Sequence, residues 1–361
     1  MKVENNKHAI ALKEHTSVLA CPNCHTRLVL NGSVLYCEIC NTAWIRDEYG
    51  VFRFLDHDMP FDTEDSGMRD LLNEMRQMDR REFQKNLKRL EQKYRVFEYD
   101  HVVNPDRGAW SVLGDFTDKI IVDLGCGFGA VSLALSEQAR TIVAIDASLD
   151  RLRFLALLAG FLHVTNLVVV HADFFNLPLV RDSIDRFVMI GVLEWVGTWD
   201  DSVPPSALQQ RLLNGLRAFM HGDGEMWLGV DNRLNPLYLT GRTHHGDVPF
   251  SPLLPRKYAH LVTQVLRGHD YRTFTYSPNG YRQLLISADY PVVEIFYAFP
   301  SYKIPEICVT ETGVELRMAL PTSKVVSWQH RVGKWLYPWL LRVGVGRQIA
   351  PALFLRGRRE K

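Results

Sequence analysis

Three glycines at alternate positions, Gly125, Gly127 and Gly129, follow an apolar run that ends in an acid, Ile121-Val-Asp123-Leu. This pattern reads as a buried strand feeding a tight turn and a helix, in which residues without a Cβ let the backbone pass close to a ligand. Seventeen residues past Gly129, the run Thr141-Ile-Val-Ala-Ile closes on Asp146. An acid at that spacing is placed to accept hydrogen bonds from the two hydroxyls of a ribose. A third run, Leu167 to Val170, leads into His171-Ala-Asp173, which sets a carboxylate near the edge of an adenine. A fourth, Asp185 to Ile190, opens into Gly191-Val-Leu-Glu194-Trp195. Each acid also has a plainer reading, Asp123 as a cap for the turn and Asp173 as a helix cap. Four strand ends carrying such residues in succession favour a shared ligand.

With the pieces in this order the chain resembles the class I methyltransferases that use S-adenosylmethionine, over roughly residues 95 to 300. The resemblance implies an α/β fold: a Rossmann-like seven-stranded sheet with helices on both faces, preceded here by a small zinc ribbon. It implies that Asp123, Gly125, Gly127 and Gly129 hold the methionine part of the donor, Asp146 the ribose and Asp173 the adenine, with Gly191 and Glu194 in the fourth motif. Nicotinamide dehydrogenases prefer a third glycine two positions further on, so the methyl donor fits better.

Four of the six cysteines form two knuckles, Cys21-Pro-Asn-Cys24 and Cys37-Glu-Ile-Cys40, with 12 residues between them. Four soft sulfur ligands at this spacing suit one tetrahedral Zn²⁺ in a closed structural site. Two disulfides are the alternative. A hairpin with a turn at Asn31-Gly32 is expected between the knuckles. The ribbon resembles the zinc modules that precede several bacterial methyltransferases, including ribosomal RNA guanine enzymes.

The elements that position these residues occupy a chain of 361 residues, of which 47% are apolar, long enough for two or three units. The expected division is a zinc ribbon over 1–56, a helical linker region over 57–110, a methyltransferase core over 111–300 with a substrate-side insertion near 231–280, and an extension over 301–361. Leu72, Met75, Phe83, Leu87, Leu90 and Tyr94 recur at near-helical intervals and predict an amphipathic helix or helix pair, whose cluster Arg80, Arg81, Lys85, Lys88 and Arg89 reads as a solvated face. Helices are expected over Ala130–Glu137, Leu149–Leu158 with Ser148 as cap, and Ser206–Met220. Gly222-Asp-Gly224 is expected to break the chain before a strand from Glu225 to Val230, and Ala350–Leu355 to insert antiparallel as the last strand.

Lys and Arg number 42 against 41 Asp and Glu, a formal net charge of +1, which argues against a general field for nucleic acid. No 18-residue apolar run or leader pattern is present, and a cytoplasmic location is expected. The insertion Asp231-Asn-Arg…His244-His245 resembles that of bacterial methyltransferases tied to polysaccharide clusters, with Asp231 replacing Glu and His244 replacing Asp. For deprotonating a sugar hydroxyl His245 leads, followed by His244, with Glu194 and Asp231 as alternatives. Arg233 and Arg242 are candidates to hold a substrate anion. Trp328, Trp335, Tyr337 and Trp339 among Arg331, Lys334 and Arg342 suggest peripheral membrane contact. The expected activity is O-methylation of a saccharide or another small-molecule or glycan precursor. An rRNA base methyltransferase acting on RNA and a non-catalytic zinc scaffold with a vestigial donor pocket are the alternatives.

Overall fold

A computed structural model describes residues 14–56, 66–97, 103–198, 200–243, 248–318 and 346–358. The chain divides into two compact units, one of residues 1–188 and 218–224, the other of 189–217 and 225–361.

The first unit begins with a three-stranded antiparallel ribbon: β1 (Val29–Asn31), β2 (Val34–Cys37) and β3 (Thr42–Ile45). Asn31 pairs with Val34, so Gly32 and Ser33 form the turn, with Gly32 at a φ of 61° in the first central position of a type II′ hairpin. The turn therefore sits one residue beyond the expected Asn31-Gly32. The ribbon is tied to the rest of its unit on two sides. The Ala20 N–H donates to the Pro178 carbonyl (3.0 Å) and the Val180 N–H to that of Val18 (2.9 Å). Farther on, β4 (Phe52–Arg53) joins the sheet, Phe52 opposite Val170 and Arg53 opposite His171.

The sheet of this unit runs β8 (Ile184–Ile190), β5 (Ile120–Leu124), β6 (Thr141–Asp146), β7 (Leu167–His171), β4, with its paired strands parallel. The near-continuous apolar runs of β5 to β7 are what a sheet covered on both faces demands, and all six residues of β6 are buried. The predicted helix pair is α1 (Ser66–Arg76) and α2 (Arg80–Tyr94). Asp79 starts α2 with a reciprocal capping box: its carboxylate accepts from the Glu82 N–H, and the Glu82 carboxylate accepts from the Asp79 N–H. Leu71, Leu72, Met75, Phe83 and Leu90 pack with Phe154 and Leu158 of α4 (Leu149–Phe161) in one core cluster. Between β5 and β6 lies α3 (Ala130–Ser136), packed on β6 and on a 3₁₀ segment from Pro105 to Leu113. Ser148 precedes α4 as expected, but its side chain makes no cap bond.

The second unit runs β12 (Glu315–Arg317), β11 (Ile307–Thr310), β10 (Val292–Phe299), β13 (Ala352–Arg358), β9 (Met220–Asp231), β8, the latter two strands having residues in both units. β13 pairs antiparallel with β10 and with β9, as expected for the inserted last strand. β9 starts at Met220 and passes through Gly222 and Gly224, which the sequence reading took for a break. Helix α5 (Pro205–Leu216) packs on α7 (Pro278–Ser287), and α7 on β10; α6 (Arg256–Arg267) lies in the insertion. Together the two units give an α/β fold with a mostly parallel sheet and helices packed on it. No described helix is long and apolar enough to cross a membrane. The aromatic-basic stretch from Trp328 to Arg342 lies outside the described residues.

Asn232, just past β9, is wholly buried, and all its polar groups are paired. Its amide donates to the carbonyls of Gln348 and Ala350 (2.8 Å each), and its side-chain oxygen accepts from the Leu234 N–H (2.9 Å). Each such bond contributes about 1 kcal/mol, and the buried Ala350 carbonyl is orphaned without it. Asn232→Ala is therefore expected to lower unfolding stability by roughly 3 kcal/mol in urea titrations. A loss below about 1 kcal/mol would show that this junction does not hold β13 in place.

Candidate functional site

The glycine turn is built at the carboxyl end of β5. Register sets Asp123 opposite Ala144 and Leu124 opposite Ile145, and the N–H groups of Gly125 and Cys126 then both donate to the Ile145 carbonyl (2.8 and 3.1 Å). Gly127 and Gly129 have φ of 54° and 87°. A side chain at Gly129 would place its Cβ 2.1 Å from a Leu155 methyl, so this glycine is fixed by helix packing as well as by backbone. At Gly127 an added Cβ would meet nothing within 4 Å. The turn opens there on space that a ligand can occupy.

Asp146, at the end of β6, closes on this turn. One carboxylate oxygen accepts from the Gly127 N–H (2.8 Å) and the other from the Ser148 N–H (2.9 Å), so the acid is oriented by the β5 to α3 turn on one side and the β6 to α4 connection on the other. Asp146 pairs in register with His171 of β7, whose imidazole Nε2 lies 3.1 Å from the Ala147 carbonyl. Two residues beyond His171, Asp173 turns its carboxylate to the Phe175 N–H (3.1 Å), a local Asx turn. The ends of β5, β6 and β7 thus bring Asp123, the three glycines, Asp146 and Asp173 to one edge of the sheet.

Asp123 is 2% exposed and accepts a bond from the Ser132 hydroxyl on α3 (2.6 Å). Burial pushes its carboxyl up to about 6; the serine bond opposes that and the Asp146 charge adds to it. Desolvation and the same two carboxylates hold the Cys126 thiol well above its usual range, so it stays protonated. Ser132 carries no signal in the sequence, since its role appears only once α3 folds back over β5.

Cys21, Cys24, Cys37 and Cys40 bring their sulfur atoms within 4.8 Å of one another. Two of the separations are 3.8 Å (Cys21 to Cys40) and 3.5 Å (Cys24 to Cys37). A tetrahedron with metal–sulfur bonds of about 2.3 Å has edges of about 3.8 Å, so the set has the size of a four-thiolate site. The paired-disulfide alternative is not realised, because all six cysteines are free.

In the second unit, the Gly191 N–H donates to the Gly229 carbonyl (2.7 Å), and Leu193–Trp195 forms one 3₁₀ turn. Gln209, wholly buried, fixes this turn: its amide donates to the carbonyls of Leu193 (2.8 Å) and Phe274 (3.1 Å), and its oxygen accepts from the Tyr276 hydroxyl (2.7 Å). Glu194 is wholly buried within electrostatic reach of Tyr238 and Tyr281. Burial foremost, with the charges of Glu194 and Asp231 behind it, raises both phenols, which remain hydroxyl donors. Arg233 is engaged by the carbonyls of Pro252 and Leu254. Arg233 therefore serves the fold of the insertion, and Asn232 the junction between β9 and the segment before β13. His244 and His245 lie outside the described residues.

Residues 122–210 match the family model described as a methyltransferase domain. No curated protein matches the chain significantly. Among solved structures, a methyltransferase from Aquifex aeolicus that depends on S-adenosylmethionine is 13% identical, over 46% of this chain and 80% of that one, with a TM-score of 0.33. The YcgJ protein of Bacillus subtilis is 12% identical over 71% and 99%, with a TM-score of 0.40. A phosphoethanolamine N-methyltransferase of Haemonchus contortus is 10% identical over 70% and 52%, with a TM-score of 0.42. The chain therefore carries a methyltransferase domain over residues 122–210.

The raised carboxyl of Asp123 sets a pH signature. Its folded value of about 6 exceeds the ordinary 3.8, so the folded chain binds the proton more tightly. Its contribution to stability then falls as pH rises through that interval, by roughly 3 kcal/mol in all. Asp123→Asn keeps the serine bond and removes the ionisation. Without ligand, the variant is expected to gain stability over the parent at pH 8 and to match it at pH 4 in paired denaturant titrations. A gain that is equal at both pH values would refute a buried ionisable origin.

Proposed function

We propose that the chain transfers the methyl group of S-adenosylmethionine to a hydroxyl oxygen of a saccharide or another small glycan precursor. The observation that carries the donor half is the glycine turn clasped by Asp146, with open space before Gly127. In this reading Gly125, Gly127 and Gly129 admit the methionine end of the donor beside Asp123. Asp146 accepts from the ribose hydroxyls and Asp173 faces the adenine edge, while Gly191 stays a donor-binding candidate from the sequence motif alone. The donor, when bound, supplies an electrophilic methyl on a sulfonium. The chain's own task is alignment, exclusion of water and removal of one proton from the acceptor.

For the acceptor half, a hydroxyl needs a base and several hydrogen-bond partners. The buried Glu194 carboxylate and the protonated phenols of Tyr238 and Tyr281 offer both kinds of group. Glu194 is assigned as a catalytic base, with His245 and His244 as the further candidates from the sequence. An RNA acceptor is the second reading, favoured by the exposed basic face of Arg80, Arg81, Lys85 and Lys88 on α2. The four cysteines are assigned to one structural Zn²⁺, since a closed set of four protein ligands leaves no position for substrate.

Asp146→Ala is expected to weaken donor binding by about 10- to 100-fold in calorimetry, from lost charge-assisted hydrogen bonds. Undiminished affinity removes the ribose assignment. With labelled donor, methyl should enter a saccharide acceptor and fall with Glu194→Gln; methyl found in RNA, with a steep salt dependence, supports the second reading. For the ribbon, metal analysis should find one zinc per chain, and Cys37→Ser should remove the metal and lower the unfolding midpoint. Full folding without metal would refute the structural role.

A further inference from the structure

The insertion of the second unit carries a helix turned inside out. Helix α6 (Arg256–Arg267) buries only the small residues Ala259 and Thr263, one turn apart. Arg256 anchors it from the same side, its guanidinium stacked 3.7 Å from the Phe274 ring centre and bonded to the Thr275 carbonyl. At 100° per residue, Tyr258, Leu261, Val262, Val265 and Leu266 share an arc of about 140°, which would ordinarily face a core. Here Tyr258, Leu261, Val265 and Leu266 are exposed, Val265 to 75%. The exposure continues beyond the helix. The 3₁₀ turn Ser251–Leu253 packs on α6, and the residue before it, Phe250, is exposed. Phe250 lies beside Gly241, which ends the turn carrying Leu239, itself 70% exposed.

Charge sets this region apart as well. Residues 232–268 hold five basic side chains, Arg233, Arg242, Arg256, Lys257 and Arg267, against the single acid Asp247, whereas the whole chain nets only +1. Helix α6 itself contains no acid. Arg233 and Arg256 are engaged inward, which leaves Arg242, Lys257 and Arg267 exposed, Arg267 on the side of α6 away from the arc. Lys257 flanks the arc directly, its ammonium 5.5 Å from the Tyr258 ring centre.

We propose that this face is a peripheral docking surface for a bilayer of anionic phospholipid, with Tyr258, Leu261, Val265 and Leu266 entering the interface, Lys257 meeting the headgroups, and the exposed Arg242 and Arg267 adding longer-range attraction. A single convex helix face fits a fluid, flat apolar boundary, and an excess of cations in the segment that bears an exposed apolar arc suits a helix lying in that plane. Anionic lipid supplies the complementary charge. The proposal stands independently of the methyl acceptor.

The test is flotation of the full-length chain with vesicles of phosphatidylcholine containing 30% phosphatidylglycerol, against vesicles of phosphatidylcholine alone. The native chain should partition to the anionic vesicles, and raised salt should weaken that partitioning. The pair Leu261→Asp and Val265→Asp should lower it at least tenfold, while Val314→Asp, an exposed residue on the β11–β12 turn, should not. Lys257→Gln with Arg267→Gln, which leaves the apolar arc intact, should weaken binding to anionic vesicles only, and circular dichroism of each variant confirms that it is folded. Failure of the native chain to float, or floating that folded Leu261→Asp/Val265→Asp retains, would overturn the proposal. Self-association of the native chain in sedimentation, abolished by the same pair without any vesicle binding, would overturn it too and assign the face to a second copy.

Discussion

The carboxylate of Asp146 is the joint on which the first unit's candidate site depends. By accepting the Gly127 and Ser148 N–H groups together, it fastens the loop after β5 to the start of α4, so that two crossovers share one anchor. The geometry of the three glycines follows from that grip. Gly125 and Cys126 lean on the Ile145 carbonyl one residue earlier, and Gly129 is pressed against Leu155 from the helix that Asp146 introduces. A charged acceptor holding two backbone donors is stronger and stiffer than a neutral one, which suits a turn that must keep its shape before any ligand arrives.

Asp123 lies one step behind this joint, and its environment conflicts with its charge. Burial and the neighbouring Asp146 favour its protonated form, against the pull of Ser132. Positions that reduce stability in the empty protein are common where a cationic partner is to be received, because the partner relieves the cost. The second unit shows the opposite economy at Asn232, where a buried amide is fully satisfied and serves only the backbone around it.

Most of the sheet was legible in the sequence because β5, β6, β7 and β8 are short apolar runs closed by acids or glycine, and these end signals survive without any knowledge of packing. The antiparallel placement of β13 was legible only through the resemblance to class I methyltransferases, since an apolar run carries no strand direction by itself. The ends of elements were harder to read. Gly222 and Gly224 resemble a break, yet β9 runs through them: Gly222 is exposed, while Gly224 is buried where an added Cβ would lie 3.0 Å from the His221 carbonyl oxygen, so its small size serves packing rather than a turn. Helix α6 was missed although Tyr258, Leu261, Val262, Val265 and Leu266 keep helical spacing; a neighbourhood of prolines and polar loop residues obscured it. Arg233 read as a candidate ligand for an anion because a sequence does not show that two backbone carbonyls will take its guanidinium. The roles of Ser132 and Gln209 depend on contacts between segments far apart in the chain, which spacing does not encode.

The short pairing of β4 with β7 has a bearing on how the protein avoids self-adhesion. A parallel sheet that ended at β7 would expose a row of open amides and carbonyls, a template for strands of other molecules. The segment leaving the ribbon covers part of that rim: Phe52 and Arg53 occupy it, and the Phe54 N–H donates to the His171 carbonyl at 2.8 Å. The segment that trails the cysteine module thereby guards part of the sheet's margin.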